Sequence, residues 1–131
     1  MSAPTPANSQ RKRILIAEDD AAIATMLQRL LAQHYDVVHA PSGGAALKLA
    51  QSKPVPALAL LDVMMPDMDG FAVAAALRAL PDLKQIPIIF LTARTASTDV
   101  IKGIQAGARH YIHKPFKLDD VLRKVKKALG D

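Results

Sequence analysis

Two kinds of segment alternate along the chain when its apolar and polar positions are compared. Five short runs rich in apolar and β-branched residues are typical of strands that are buried on both faces of a parallel sheet. The longer segments between them carry apolar residues at the helical spacing of about 3.6 residues. The predicted strands are residues 13–17, 35–39, 57–61, 86–91 and 109–112. The predicted helices are residues 21–33, 45–52, 71–80, 97–106 and 118–129.

Capping and turn residues support these boundaries. Asp20 is placed to cap the first helix, and Gly107 is suited to end the fourth. A Pro-Ser-Gly-Gly sequence at residues 41–44 predicts a break before the second helix, and Pro81 closes the third. The strict alternation of strands and helices predicts an α/β fold with a doubly wound, five-stranded parallel sheet.

Polar side chains follow four of the five predicted strands. Glu18 and Asp19 follow the first strand, Asp62 the third, Thr92 the fourth and Lys114 the fifth. All of these positions lie at one edge of a parallel sheet, and neighbouring strands are only about 5 Å apart there. Three carboxylates at that spacing repel one another unless a cation lies among them. An all-oxygen site of this kind suits Mg²⁺.

The same edge offers the groups that phosphoryl chemistry requires. A hydroxyl from Thr92 and an ammonium from Lys114 are partners for phosphoryl oxygens, and the Asp62 carboxylate is a candidate nucleophile that would form an aspartyl phosphate. Each residue also has a simpler explanation: Glu18 and Asp19 favour a helix N-terminus, Asp62 or Thr92 caps a turn or helix, and Lys114 is a solvated lysine. Their shared position after four strands favours a common site.

Composition limits the other possibilities. The chain has 131 residues, which fits one domain, and half of them are hydrophobic. The absence of cysteine excludes disulfides and thiolate metal sites. No apolar run reaches the roughly 18 residues of a membrane span, and no signal peptide begins the chain. We therefore expect a cytoplasmic protein without membrane insertion, with a disordered tail at residues 1–11 and one domain at residues 12–131.

The formal net charge of +5 does not by itself indicate nucleic-acid binding. The bases at residues 11–13 and 123–127 are divided between the tail and the end of a helix, so a solvated face is the favoured interpretation. We expect no direct nucleic-acid binding by this domain. An enzyme with a small-molecule substrate is also disfavoured, because the sequence has neither a glycine-rich nucleotide loop nor a nucleophile–base pair.

Five motifs give the chain a family resemblance. They are ILIAEDD at residues 14–20, LDVMMPDMDG at 61–70, LTA at 91–93, AGA at 106–108 and KPF at 114–116. With these motifs the chain resembles the receiver domain of two-component response regulators, whose fold is that of the chemotaxis response regulator. The resemblance covers about residues 12–129. It implies a flavodoxin-like (βα)5 fold with strand order 2-1-3-4-5.

The resemblance implies a phosphoacceptor site with bound Mg²⁺. Asp62 would be the phosphoacceptor. Asp19, Asp62 and the backbone carbonyl of Met64 would ligate Mg²⁺ directly, with Glu18 acting largely through water. Because Met64 orients water poorly, we expect slow loss of the phosphoryl group, and Arg94 at the rim contributes to that expectation.

The resemblance also implies a switch. Thr92 would contact the phosphoryl oxygens, and Lys114 would pair with the Asp62 carboxylate or its phosphate. The peptide bond between Lys114 and Pro115 is expected to be cis. Tyr111 matches the switch aromatic of the family, which turns inward when Thr92 moves, although a half-buried tyrosine on a strand is a simpler explanation.

The implied function is that of a phosphoacceptor in a two-component phosphorelay, not of an enzyme, although the domain would assist its own phosphorylation and dephosphorylation. A histidine kinase or phosphotransfer protein would donate the phosphoryl group. A downstream protein would bind the face formed by the fourth helix, fifth strand and fifth helix. We expect a stand-alone monomer or a weak, phosphorylation-linked dimer. The alternatives are a receiver cut from a larger regulator, such as a DNA-binding transcription factor, and a pseudo-receiver that binds partners without phosphate.

Overall fold

The computed structural model describes residues 11–92 and 108–131, and its centre is a five-stranded parallel sheet. The strand order is β2-β1-β3-β4-β5, which confirms the predicted flavodoxin-like topology. The strands are β1 (Arg13–Ala17), β2 (Asp36–Ala40), β3 (Leu58–Asp62), β4 (Ile88–Thr92) and β5 (Ala108–His113).

Four α-helices of the described residues flank the sheet. They are α1 (Ala21–Leu31), α2 (Gly43–Ala50), α3 (Gly70–Arg78) and the C-terminal helix (Leu118–Leu129), and a short 3₁₀ helix spans Pro81–Leu83. Several predicted features lie outside the described residues: residues 1–10 of the tail predicted at 1–11, the fourth helix predicted at 97–106, its cap Gly107 and the rim residue Arg94.

Three sequence-based boundaries differ from the structure: the start of α2 and the ends of β3 and β4. The Gly-Gly pair at residues 43–44 does not break the chain but forms the first turn of α2, because the Ser42 hydroxyl accepts a hydrogen bond from the Ala45 amide at 3.2 Å and caps the helix. Asp62 and Thr92 are not loop residues beyond their strands. Each is the last residue of its strand, so the sheet itself holds both side chains.

The sheet separates two hydrophobic cores, because successive side chains of a strand point to opposite faces. In β1, Leu15 and Ala17 pack on the side of α2 and α3, whereas Ile14 and Ile16 pack on the side of α1 and the C-terminal helix. Phe90 of β4 is fully buried in the first core. Burial on both faces explains the nearly continuous apolar strands of the sequence.

Carboxylates cap the N-termini of two helices, α1 and α3. Asp20 accepts hydrogen bonds from the amides of Ala22 at 2.9 Å and Ile23 at 3.1 Å, which confirms the predicted cap of α1. Asp69 caps α3 in the same way, through the Ala72 amide at 2.8 Å. These caps satisfy amides that no helix can satisfy internally.

Gly70 lets α3 begin directly against the end of β3. A Cβ atom at this position would lie 2.5 Å from the backbone oxygen of Asp62 and 3.1 Å from the Cα of Val63. Its amide donates a hydrogen bond to the Val63 carbonyl at 3.0 Å. The glycine is therefore required by close backbone approach at the strand end that carries Asp62.

We expect Gly70→Ala to lower the free energy of unfolding by about 2 kcal/mol or more, because backbone atoms must move to admit the methyl group. Gly130→Ala is the matched control: its Cβ would meet no atom within 4 Å, but its φ of +75° is left-handed, which costs about 1 kcal/mol. Urea unfolding followed by circular dichroism measures both. A loss at Gly70 no larger than the loss at Gly130 would contradict the close-approach argument.

Candidate functional site

Three carboxylates meet at the carboxyl edge of the sheet. Glu18 and Asp19 follow β1, and Asp62 ends β3, the strand that pairs with β1. One ligand oxygen from each of the three residues lies within 4.8 Å of the others. The structure therefore brings together the acidic residues that the sequence placed at one edge.

Burial makes this cluster electrostatically costly. Glu18 is 0% exposed and Asp62 is 3% exposed, whereas Asp19 faces solvent. The Lys114 ammonium lies 3.1 Å from Glu18 Oε2 and 3.4 Å from Asp62 Oδ2. Among the described residues, the Lys114 ammonium faces two buried carboxylates and a third lies nearby, so negative charge is in excess in this part of the site.

Burial and the neighbouring charges shift the pKa values of Glu18 and Lys114. Burial, the largest cause, and the neighbouring Asp62 carboxylate together raise the pKa of Glu18 to about 7, against the opposing effects of the Asp20 amide and the Lys114 ammonium. Burial alone would lower the pKa of Lys114, but the Glu18 and Asp62 carboxylates outweigh it and raise that pKa. The ammonium therefore stays charged, and the Glu18 carboxyl loses its proton only around neutral pH when no cation is bound.

Backbone hydrogen bonds orient the carboxylates. Met64 donates its amide proton to Asp62 Oδ1 at 3.2 Å, and the Asp20 amide donates to Glu18 Oε1 at 3.1 Å. The ring of His39, on β2, contacts the backbone oxygen of Glu18 through Nε2 at 2.8 Å. Sequence reasoning missed His39, because only the register that pairs it with Ile16 of β1 reveals the proximity.

Thr92 and Lys114 reach the same edge from β4 and β5. Thr92 is fully buried, and its backbone carbonyl accepts a hydrogen bond from the Lys114 amide at 2.9 Å. The bond between Lys114 and Pro115 is cis, as predicted. The candidate hydroxyl and ammonium are thus joined through the main chain.

An open cavity of about 430 Å³ adjoins the acidic cluster. It is lined by Asp19, Val63, Met64, Met65, Pro66 and Asp69. The Met64 side chain is 53% exposed at this rim. The cavity thus borders the acidic cluster at Asp19 and on the side of the loop between β3 and α3.

Tyr111 lies on β5 beside the aromatic part of the core. Its ring centroid is 5.6 Å from that of Phe90, which in turn packs edge-on against Phe71 at 4.9 Å. The Tyr111 side chain is half-buried, which agrees both with the predicted switch and with a purely structural role.

The acidic cluster fits a hard divalent cation. Its donors are carboxylate oxygens alone, which Mg²⁺ prefers. The Oε2 atom of Glu18 makes no hydrogen bond among the described residues, although the Lys114 ammonium is near. A buried acceptor of this kind and an excess of negative charge are both relieved by a bound cation.

No helix within the two described stretches of chain is both long enough and apolar enough to cross a membrane.

The raised pKa of Glu18 predicts how stability depends on pH in the metal-free protein. The folded carboxyl keeps its proton up to about pH 7, whereas an unfolded one releases it near 4.5. The folded state thus binds more protons in this window, so stability falls as the pH rises through it. Asp62→Asn removes a charge that raises this pKa. We expect the variant to gain stability over wild type more at about pH 8 than at about pH 5, by about 1.4 kcal/mol per tenfold change in proton affinity.

Thermal and urea unfolding in a chelator at the two pH values test this expectation. Asp82→Asn is the control, because it removes the same charge from an exposed carboxylate that pairs with Lys53 at 2.8 Å. The control should shift stability equally at both pH values. Equal differences for Asp62→Asn would show that Asp62 does not govern the protonation of Glu18.

Curated relatives match most of the chain. The DNA-binding response regulator MtrA of Mycobacterium tuberculosis is 38% identical over 123 residues, which are 93% of this chain and 52% of MtrA. The response regulator PleD of Caulobacter vibrioides is 40% identical over 111 residues, which are 84% of this chain and 24% of PleD. The chain thus spans about half the length of the MtrA relatives that it matches.

Solved structures share the fold and the family model matches the sequence. The chemotaxis protein CheY4 of Vibrio cholerae has a TM-score of 0.86 and 30% identity, covering 91% of this chain and 99% of CheY4. The receiver domain of a histidine kinase from Syntrophus aciditrophicus has a TM-score of 0.80 and 36% identity, covering 91% and 90%. The model of the response regulator receiver domain matches residues 14–126. The chain belongs to this family of receiver domains, which are signalling domains of two-component systems rather than classical enzymes.

Proposed function

We propose that this receiver domain is a phosphoacceptor in a two-component phosphorelay and is phosphorylated on Asp62 in the presence of Mg²⁺. The observation that carries the proposal is the acidic cluster, in which Glu18, Asp19 and Asp62 offer ligand oxygens within 4.8 Å of one another. The Lys114 ammonium, 3.4 Å from Asp62 Oδ2, adds the cation that a transferred phosphoryl group requires.

Four groups of the chain would bind Mg²⁺, directly or through water. Asp19, Asp62 and the backbone carbonyl of Met64 would hold Mg²⁺, and Glu18 would act through water. When bound, the ion supplies positive charge that offsets the carboxylates and the phosphoryl oxygens. The assignment is supported by the all-oxygen donor set and by the raised pKa of Glu18, which burial and the neighbouring Asp62 carboxylate cause.

The proposed transfer is a nucleophilic displacement at phosphorus. A carboxylate oxygen of Asp62 forms the new O–P bond as the N–P bond to a donor histidine breaks, and the leaving imidazole takes a proton from solvent. The donor is a histidine kinase or a phosphotransfer protein. The Lys114 ammonium pairs with the charge that develops, and the Thr92 hydroxyl donates to the phosphoryl oxygens.

The phosphoryl group would then bias two conformations of the domain. It adds charge and acceptor oxygens at the sheet edge, where Thr92 and Lys114 gain new partners. The link between the Thr92 carbonyl and the Lys114 amide, at 2.9 Å, carries any movement of β4 into the segment after β5. Tyr111 turns inward as Thr92 moves. A tenfold change in population needs only about 1.4 kcal/mol of differential interaction.

The proposed output surface is the face of β5 and the C-terminal helix, completed by the predicted helix at residues 97–106. A downstream protein would dock there. Support comes from an open cavity of about 420 Å³ on the described part of this face. It is lined by Tyr111, His113, Pro115, Phe116, Lys117, Asp119, Asp120, Arg123 and Lys124.

We propose a monomer or a weak, phosphorylation-linked dimer in the cytoplasm, with residues 12–131 as the domain and residues 1–11 as a tail.

A second proposal concerns the rest of the protein. Because the chain spans about half the length of MtrA, which is named as a DNA-binding response regulator, it is also a candidate for the receiver part of a longer regulator. CheY4, by contrast, is covered over 99% of its length. The sequence of the encoding gene beyond both ends distinguishes the two.

Acetyl phosphate tests the proposed chemistry directly. We expect incubation with Mg²⁺ to add the mass of one phosphoryl group to the intact chain, because Asp62 can displace acetate from the small donor. Asp62→Ala should gain no mass, and omission of Mg²⁺ should abolish the gain. Asp82→Ala, which removes an exposed carboxylate paired with Lys53, should behave as wild type.

A folded chain that gains no mass and binds no Mg²⁺ would contradict the proposal and favour a pseudo-receiver. If Mg²⁺ binds without a gain, the test is repeated with phosphorylated histidine kinases as donors. A failure with every donor would then remove phosphorylation from the proposal. Retention of the gain in Asp62→Ala would place the phosphoryl group elsewhere.

The lifetime of the phosphorylated state should depend on Met64. This exposed side chain lies at the rim of the cavity and cannot orient a water molecule for attack. We expect slow loss of the phosphoryl group in wild type, about tenfold faster loss in Met64→Gln, whose amide can hold a water, and no change in Met64→Leu. The decay of the phosphorylated mass with time measures this. A wild-type lifetime of seconds would contradict it.

A further inference from the structure

Asp67 is an acidic residue of the β3–α3 loop that does not join the acidic cluster. Its carboxylate instead reaches α2. Oδ1 accepts a hydrogen bond from the Gly43 amide at 3.0 Å, and Oδ2 accepts one from the Gly44 amide at 2.9 Å. Both amides belong to the first turn of α2 and have no partner within the helix. The two bonds form a bidentate clamp between a loop and a helix.

Close packing reinforces the clamp. A Cβ atom on Gly43 would lie 2.7 Å from Met68 Cβ and 2.8 Å from the Met68 backbone oxygen. Any larger residue at that position would push the loop away from α2. The glycine pair, which sequence reasoning took for a chain break, thus permits the loop to rest on the helix.

The carboxylate remains charged near neutral pH. Hydrogen bonds from the Gly44 and Gly43 amides lower the pKa of Asp67 below its ordinary value. A carboxylate that accepts two backbone amide bonds is held more firmly than a neutral acceptor. The clamp therefore persists over the range of pH in which the domain would work.

The clamped loop is the one that carries the phosphoacceptor side of the site. At its start, the Met64 amide bonds Asp62 Oδ1 at 3.2 Å. At its end, Asp69 caps α3 through the Ala72 amide at 2.8 Å. Asp67 fixes the middle of the loop sideways, to a different helix. Three separate anchors thus hold seven residues between β3 and α3.

We propose that Asp67 is a positioning residue, which holds the loop so that the Met64 carbonyl is placed for the cation and which couples cation binding to α2. The inference rests on the proposed function, because it takes the Met64 carbonyl as a ligand. Movement of that carbonyl on binding is passed along the loop to Asp67 and from its carboxylate to the Gly43 and Gly44 amides. The helix α2 packs beside α3, on the opposite face of the sheet from the C-terminal helix.

Calorimetric titration of the metal-free chain with Mg²⁺ tests the positioning role. We expect Asp67→Ala to weaken Mg²⁺ binding about tenfold, as losses of residues that orient a ligand do. Asp82→Ala is the matched control, since it removes the same charge from an exposed, hydrogen-bonded aspartate and should change the affinity less than about twofold. The tenfold loss should persist in about 0.5 M salt, where a long-range charge effect is screened.

Amide spectra of the same samples test the coupling. In wild type, Mg²⁺ should shift the Gly43 and Gly44 amide resonances, and in Asp67→Ala these shifts should disappear. Asp67→Asn keeps one acceptor oxygen and should be intermediate in both readouts. It also serves as the test variant if Asp67→Ala does not fold.

Two results would overturn the inference. Unchanged Mg²⁺ affinity in Asp67→Ala, with a lowered melting temperature alone, would leave Asp67 a structural cap. A loss of affinity that vanishes in high salt would reduce its role to charge. If wild type itself binds no Mg²⁺, the proposed function fails together with this inference, and the wild-type titration identifies that case.

Discussion

Repulsion among carboxylates at one sheet edge is the constraint on which the rest of this structure depends. Glu18 and Asp62 are buried within reach of each other, with Asp19 beside them, and in the described part of the chain the Lys114 ammonium contacts both buried carboxylates. Such an arrangement lowers stability unless a cation or a proton joins it, and the raised pKa of Glu18 shows the proton in that role. A stable sheet and helices are needed to hold charges that would otherwise separate.

The fold holds these charges in place because the strand ends lie side by side and hydrogen bonds anchor the loop between β3 and α3. Asp62 and Thr92 end strands whose other residues are fully buried, so their positions are as rigid as the sheet. The absence of a side chain at Gly70 lets α3 begin against the Asp62 backbone. The carboxylates of Asp67 and Asp69 then tie the intervening loop to two helices. The site is thus held in place by the buried strand ends, by the helix caps and by the close contact at Gly70.

The proposals give the phosphoacceptor candidate two routes to distant surfaces. One runs through Thr92 to Lys114 and Tyr111, toward the face of β5 and the C-terminal helix. The other runs through the β3–α3 loop and Asp67 to α2. The C-terminal helix and α2 lie on opposite faces of the sheet, and Tyr111 packs against the core on the α2 side. The chain resembles parts of proteins as different as MtrA and PleD in sequence and CheY4 in structure, and the fold by itself selects neither route.

The sequence by itself determined the alternation of strands and helices, the cap at Asp20 and the acidic, hydroxyl and lysine positions at one edge, because these depend on local periodicity, turn chemistry and the common direction of parallel strands. The motifs supplied the strand order through family resemblance. Only the tertiary structure decided how deeply Glu18 is buried and that the Lys114 ammonium contacts both Glu18 and Asp62. It also decided that His39 and Asp67 contact backbone groups far away in the sequence. These features arise from contacts between residues far apart in the chain, such as Asp67 with Gly43, and no local pattern encodes such a pairing.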